Sequence, residues 1–406
     1  KSSPVVHHAM KEDKARDKRV CSVIEPCSVG APPPIPRCGD CRTERDSLQT
    51  DMTRPRFPVL CLLSFLVCPL LSKAEPVSKV RIENVRRVFH NGEHNAFTDL
   101  IQWRGKFWLT FRSCPDGHMV FPTSSVIVLS SDDAKDWKEV HRFSVSQRDV
   151  RDPHFLLFKD RLFLYTGTWW SGDGELPREQ YDLNRHLGYG VHTEDGEKWS
   201  DPTLLEGTYG HYIWRAAVHD GKAYLCGRRK RAYHEEADGD TVARGVESAM
   251  LESDDGLVWK FHSLFQSSRG DETAFLFEKS GDLLAVSPCG SQPAELLRAA
   301  PPWKEKTRAN LPGYIGGPLL AKWGDDTLVG GRQNTPDGPV TTLYWLAGDT
   351  LTEFARLPSG GDNSYPGFVE LDKRHGLVSW YSSHERDDTG KPITAIYLAD
   401  VVRETP

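Results

Sequence analysis

Arginine, acid and aromatic residues recur in this chain where short apolar runs begin or end. Run beginnings supply Asp99, Arg151-Asp152, Trp214-Arg215, Asp271-Glu272, Gly316-Gly317 and Tyr365; run ends supply Arg112, Trp169-Trp170, Arg228, Ser287, Arg332 and the stretch from Tyr381 to Glu385. Guanidinium forks hold carboxylates bidentately and aromatic faces stack on pyranose rings, so a funnel lined this way would suit an anionic sugar. Taken singly, each residue has a plainer reading. Arg at a strand end is usually solvated or ion-paired, an aromatic there usually packs, and Asp before Pro, as in Asp152-Pro153, commonly makes a turn. Only a fold that gathers them round one axis turns the set into a site.

Metal chemistry has little support. Neither an H-x-x-H pattern nor a calcium-type carboxylate loop occurs. Cys21, Cys27, Cys38 and Cys41 contain one C-x-x-C without a second ligand pair at matching spacing. No metal or cofactor is expected.

Repeats identify the elements that must position these residues. Ser131 to Trp137, Thr193 to Trp199 and Ser253 to Trp259 align without a gap, their tryptophans 62 and 60 residues apart, and Trp303 ends a worn fourth copy. Out of phase with them runs a second repeat, apolar strand, polar turn, apolar strand, with turns at Arg104-Gly105, Lys159-Asp160, Asp220-Gly221, Ser280-Gly281, Gly324-Asp325 and Arg374 to Gly376. Each reads as a β-hairpin. Six hairpins, each followed by another strand pair, predict an all-β chain: a six-bladed β-propeller of four-stranded antiparallel blades. Antiparallel topology then sorts the molecule into two faces. Hairpin turns and the Trp-ending turns share one; the residues of the first paragraph share the other. Two long polar loops, 171–186 and 229–244, open on that second face as well. The segment near Val80 to Val88 is expected to close the ring by pairing with Thr394 to Val402.

A length of 406 residues would ordinarily suggest two or three domains, but the repeats reduce it to one propeller domain over 75–406. Met52 to Arg56 is basic, Val59 to Leu71 is an almost unbroken apolar run, and Ser72-Lys73-Ala74 ends in a small residue. Residues 52–74 therefore read as a secretory signal peptide, too short to span a bilayer, and a secreted or periplasmic protein is expected. Residues 1–51 read as a doubtful or disordered leader. The propeller segment holds only Cys114, Cys226 and Cys289, so it must rely on its hydrophobic core instead of a disulfide framework. A net charge of −6 excludes a basic, nucleic-acid-coating surface. A glycan or polysaccharide substrate, no stable membrane span and a monomer are the remaining expectations.

The Ser-x-Asp-Gly-x-x-Trp turns resemble the Asp-boxes of sialidases and other propellers, and the resemblance extends over roughly 80–402. It implies a glycoside hydrolase in which Tyr365 of Ser-Tyr-Pro-Gly is the nucleophile, Glu272 of Asp-Glu-Thr-Ala-Phe activates it, and Asp152 of Arg-Asp-Pro is the acid/base. Arg112 of Thr-Phe-Arg and Arg332 of Gly-Gly-Arg resemble members of the family's carboxylate-binding arginine cluster. A phenol suits an anionic anomeric centre, which would repel a carboxylate nucleophile, but its ordinary pKa near 10 demands a base. The chain departs from the pattern in two places. Ser113-Cys114-Pro115 follows Arg112, and Ser287 stands where the middle arginine should be, leaving Arg151, Arg215 and Arg228 as substitutes from adjacent blades. Two further readings stay open. One is a non-catalytic glycan- or protein-binding propeller with Trp169, Trp170, Trp214 and Tyr381 as a stacking platform. The other is a polysaccharide lyase with His384 or Tyr381 as base.

Overall fold

The computed structural model describes residues 79–231 and 245–404. The segments expected to be a leader (1–51) and a signal peptide (52–74), and most of the loop at 229–244, lie outside the described residues. Six four-stranded antiparallel sheets form the blades, spanning 94–143, 148–204, 212–266, 274–310, 316–356 and 363–403. The sixth is completed by the strand Val80–Phe89, paired with Pro392–Arg403 from Val80↔Arg403 to Phe89↔Ile396. The first and last described strands thus share one sheet, as the sequence predicts. The first strand of each blade lines the axis and contacts the first strands of its neighbours round the ring.

Five of the six hairpin turns fall where their Gly and Asp residues predict; in blade six the turn lies at 371–374, and His375 and Gly376 of the expected turn already belong to the second strand. The three Trp-ending turns each join the third and fourth strands of a blade. Their hydrogen bonds explain their composition. Asp133 Oδ1 accepts from the backbone N–H of Lys135 and Asp136 at 2.9 and 3.0 Å, and Asp195 and Asp255 repeat the pattern. Gly256 has φ +83°, and a Cβ there would lie 2.8 Å from the Tyr165 hydroxyl of the preceding blade. Trp199 stacks on His141 at 5.1 Å and Trp259 meets Tyr165 at 5.6 Å, so each tryptophan packs between adjacent blades. Lys159, in a hairpin turn, donates to the carbonyl of Asp254 at 2.6 Å, which puts both kinds of turn on one face.

On the axial strands the ladder slips between Ala96 and Asp99, Arg151 and His154, Ile213 and Ala216, Gly316 and Leu319, and Ser364 and Gly367. Each slip is a β-bulge at the same height, and bulges re-aim side chains. The residue two places before the resumed pairing is Phe97, Asp152, Trp214, Gly317 or Tyr365. By the same count Glu272 precedes the first pair of blade four, Ala274↔Val286. Phe97, Asp152, Gly317 and Tyr365 have φ of +65°, +48°, +55° and +51°. For the three non-glycine residues that conformation costs roughly 1–3 kcal/mol each and persists only where the surroundings enforce it. Asp152, Glu272 and Tyr365 therefore occupy equivalent positions on alternate blades, facing a common axis.

Candidate active site

The bulge residues open into a pocket of about 240 Å³ at the axis. Its chemistry is three tyrosine–carboxylate pairs. The Tyr365 hydroxyl donates to Glu272 Oε2 at 2.7 Å, Tyr381 donates to Asp362 Oδ1 at 2.8 Å, and Tyr212 donates to Asp152 Oδ2. Phe97 and Trp169 supply apolar wall, and the guanidiniums of Arg151, Arg228 and Arg332 with the His118 imidazole complete the lining.

Tyr365 is fixed from every side. Its carbonyl accepts from the Thr98 hydroxyl at 2.7 Å, and its ring meets Phe97 at 4.8 Å and Trp214 at 5.9 Å, both edge-on. Gly317 leaves the space its ring occupies, since a Cβ at that position would lie 2.6 Å from Tyr365 Cδ2.

Electrostatics separate the acids. Burial pushes Glu272 up to about 8, helped by the neighbouring charges of Asp152 and Asp271. Burial likewise pushes Asp152 up to about 6 against the opposing pull of Arg151. One Asp152 oxygen accepts from Tyr212, while Oδ1 is buried with no partner and is the oxygen left to carry a proton. Burial, with the adjacent Glu272 charge, holds the Tyr365 phenol well above its ordinary value, so Tyr365 rests neutral. Asp362 behaves in the opposite way. Burial would raise it too, but hydrogen bonds from His118 and His94 overcome that and keep it far below the usual carboxylate range.

The sequence-predicted residues divide into two groups. Tyr365, Glu272, Asp152, Arg151, Arg228, Arg332 and Tyr381 meet at the pocket. Arg112 and Trp214, expected on the substrate, are buried, Arg215, expected there too, is half-buried, and none of the three is in the pocket lining. Arg112 is turned under by Asp149, which it grips bidentately at 2.8 and 2.8 Å, and by the carbonyls of Gly117 and Met119. Arg215 crosses the axis below the pocket, donating to Asp99 Oδ1 at 2.9 Å and to the Pro366 carbonyl at 2.8 Å, and so braces the residue after Tyr365. Trp214 is the packing surface under the Tyr365 ring. Trp170 stacks under Arg185 at 4.3 Å, outside the pocket lining. His384, bonded to Ser382 at 2.9 Å, is not in that lining either.

Phe97, His118, Tyr212 and Asp362 line the pocket without having been singled out in the sequence. Phe97 could have been found from its equivalence to Asp152 across blades. Asp362 and His118 lie on loops and Tyr212 lies just before a bulge, where strand alternation gives no signal.

His94, His118 and Asp362 bring two ring nitrogens and a carboxylate oxygen within 4.8 Å of one another, a grouping that could hold a metal. Their hydrogen bonds point elsewhere. His94 Nδ1 faces Arg112 Nη1 at 3.5 Å and His118 Nε2 faces Arg151 Nη2 at 3.4 Å. Guanidiniums only donate, so the lone pairs lie on those sides and the protons face Asp362, at 2.9 and 2.8 Å. In this arrangement the two nitrogens beside Asp362 are donors, not ligands. With Asp149 bonded to both arginines, the six residues Arg112, Asp149, Arg151, His118, Asp362 and His94 close a ring.

A larger cavity, about 730 Å³, opens on the turn face at the seam of blades one and six. Its Arg86 is spent on Asp400 and the Ala134 carbonyl. It holds none of the residues of the axial pocket.

Comparison with known proteins agrees with this architecture. No family model and no curated protein matches the sequence. Among solved structures, a protein of unknown function from Dyadobacter fermentans matches at 19% identity and TM-score 0.66, covering 81% of this chain and 100% of that one. Trypanosoma rangeli sialidase in complex with sialic acid matches at 13% identity and TM-score 0.55, over 79% of this chain and 58% of the sialidase. This is the sialidase fold. The phage phi92 endosialidase shares it at 9% identity and TM-score 0.54, over 80% of this chain and 69% of its own. Among the described residues, no helix is long and apolar enough to cross a membrane.

Proposed function

We propose that the protein is an exported glycoside hydrolase that removes a terminal sugar through a covalent tyrosyl intermediate. The observation that carries the proposal is the 2.7 Å hydrogen bond from Tyr365 to Glu272 at the head of a pocket shared with Asp152. The reacting form is the singly protonated pair with Glu272 ionised and the proton on Asp152; in its first step Tyr365 Oη bonds to the anomeric carbon and its proton passes to Glu272. The bond from that carbon to the leaving oxygen breaks, and Asp152 protonates the oxygen. In the second, water attacks the same carbon, Asp152 takes the water's proton, and Tyr365 leaves and recovers its proton from Glu272. Asp152, raised to about 6, is suited to being an acid first and a base second. Arg228 and Arg332 flank the phenol closely enough to favour its anion.

The lyase alternative is weaker, because Tyr381 hands its hydroxyl to an Asp362 already held ionised, which makes Asp362 a poor proton acceptor for a base. Treatment with activated fluoro-sugars followed by peptide mass spectrometry tests the proposal. A sugar adduct on Tyr365 is expected, together with its loss in Tyr365→Phe. Glycan binding with neither adduct nor turnover would favour a lectin-like propeller.

A further inference from the structure

We infer that the pocket is built for an uncharged sugar, with Arg332 and Asp362 together reading one of its hydroxyls. The inference rests on the glycosidase reading for its reaction, but its evidence is the charge arrangement of the pocket.

A pocket for an anionic sugar needs guanidinium charge to spare. Here each lining arginine already faces a carboxylate: Arg151 lies 3.4 Å from Asp149, Arg228 lies 3.6 Å from Asp271, and Arg332 lies 3.7 Å from Asp362. Ser287, buried among Thr273 and Ser248, occupies the blade-four position where a further arginine would stand. Arg112 is spent on Asp149. Asp152 and Glu272 add two more acids. A carboxylate entering beside Arg332 would therefore meet Asp362, whose charge is locked in by two histidine donors and Tyr381. Like charges brought together in a partly buried site repel each other far more than in open water, so the acid loses affinity there.

A hydroxyl fits the same place without conflict. Both Asp362 Oδ2 lone pairs are taken by His94 and His118, and Oδ1 accepts from Tyr381, leaving one acceptor site on Oδ1 toward Arg332. The gap of 3.7 Å between Arg332 Nη1 and that oxygen is too long for a hydrogen bond. Arg332 Nη1 already donates to the Asn363 carbonyl at 3.2 Å, so a sugar hydroxyl beside the gap can accept from the second N–H of that nitrogen and donate to the open side of Asp362 Oδ1. A site built to pair a hydroxyl discriminates strongly against a ligand that lacks one there.

The test is calorimetric titration of the full propeller chain and of Asp362→Asn with N-acetylneuraminate, glucuronate and a panel of neutral methyl glycosides. At least one neutral glycoside is expected to bind wild type tenfold or more tightly than either acid, and Asp362→Asn is expected to narrow that gap at least tenfold. Arg332→Ala serves as a second variant should Asp362→Asn misfold, and is expected to weaken the neutral glycoside about tenfold. An acid that binds wild type as tightly as the best neutral glycoside overturns the inference. So does an acid affinity unmoved by Asp362→Asn, or a wild type that binds no neutral glycoside. Binding is read without turnover, so the two readings fail separately: neutral-sugar preference with no Tyr365 adduct sinks only the hydrolase, and turnover of sialosides or uronides sinks only the neutral sugar.

Discussion

Tyr365–Glu272 and Tyr381–Asp362 are the same chemical pair, a phenol donating to a carboxylate at 2.7 and 2.8 Å in one pocket, yet their carboxylates differ in protonation. Glu272 has acids for neighbours and is pushed up to about 8; Asp362 has two histidine donors and is held low. A carboxyl near neutrality can exchange a proton with its tyrosine, whereas a locked anion can only orient one. What the pair does is thus set by the neighbours of the carboxylate and not by the pair itself.

That contrast can be broken by substitution. Tyr365→Phe should lower kcat roughly 10⁴-fold or more, as loss of a nucleophile does, while Tyr381→Phe should act mainly on KM and by about tenfold; steady-state kinetics on an active aryl glycoside check both. Glu272→Gln should cost roughly 10²–10⁴-fold in kcat as a lost proton acceptor. In the parent, kcat/KM should be flat between limbs near 6 and 8 that belong to the Asp152–Glu272 pair jointly, and a single limb would show that only one of them acts. Gly317→Ala, which pushes on the Tyr365 ring without touching either carboxylate, should lower kcat about 10- to 100-fold, since an ångström of misplacement is enough.

Stability gives the smallest and most diagnostic contrast. Glu272 and Asp152 have folded-state pKa values above their ordinary 4.5 and 3.8, so the unfolded chain ionises first and their burial weakens the fold increasingly as pH rises from about 4 through about 8. Glu272→Gln should therefore melt a few °C above the parent at pH 8 and level with it at pH 4. Asp362 has the reverse sign. Its stabilisation is present above its ordinary 3.8 and lost as pH falls, so Asp362→Asn should melt below the parent at pH 7. Melting curves at pH 4, 7 and 8 would show the two substitutions moving in opposite directions.

The blades were legible in the sequence because their signals are local: a Ser–Asp–Gly turn with its tryptophan, and a Gly- or Asp-bearing hairpin, each need only a few neighbouring residues. The common face was legible too, which is how Tyr365, Glu272 and Asp152 could be grouped before any geometry. Side-chain direction was not. Arg112, Arg332 and Tyr381 stand opposite equivalent bulges, in the pairs Ala96↔Arg112, Gly316↔Arg332 and Ser364↔Tyr381. Arg332 and Tyr381 reach the pocket, but Arg112 is pulled under it by Asp149, a residue of the next blade. No local pattern reports a partner 37 residues away. Asp362 was hidden for the same reason, since its role depends on histidines of blade one.

The strand that completes blade six acts as a latch. Tyr365 sits in a sheet whose outer edge comes from Val80–Phe89 and whose third strand is Pro392–Arg403. The sheets of blades one to five are each built from one continuous stretch of sequence, whereas the sixth joins segments about 300 residues apart, so the ring and the seat of the phenol are held shut by the same pairing. Removing Val80–Phe89 should therefore loosen Tyr365 beside Glu272 and lower activity while leaving the sequence of blades one to five intact.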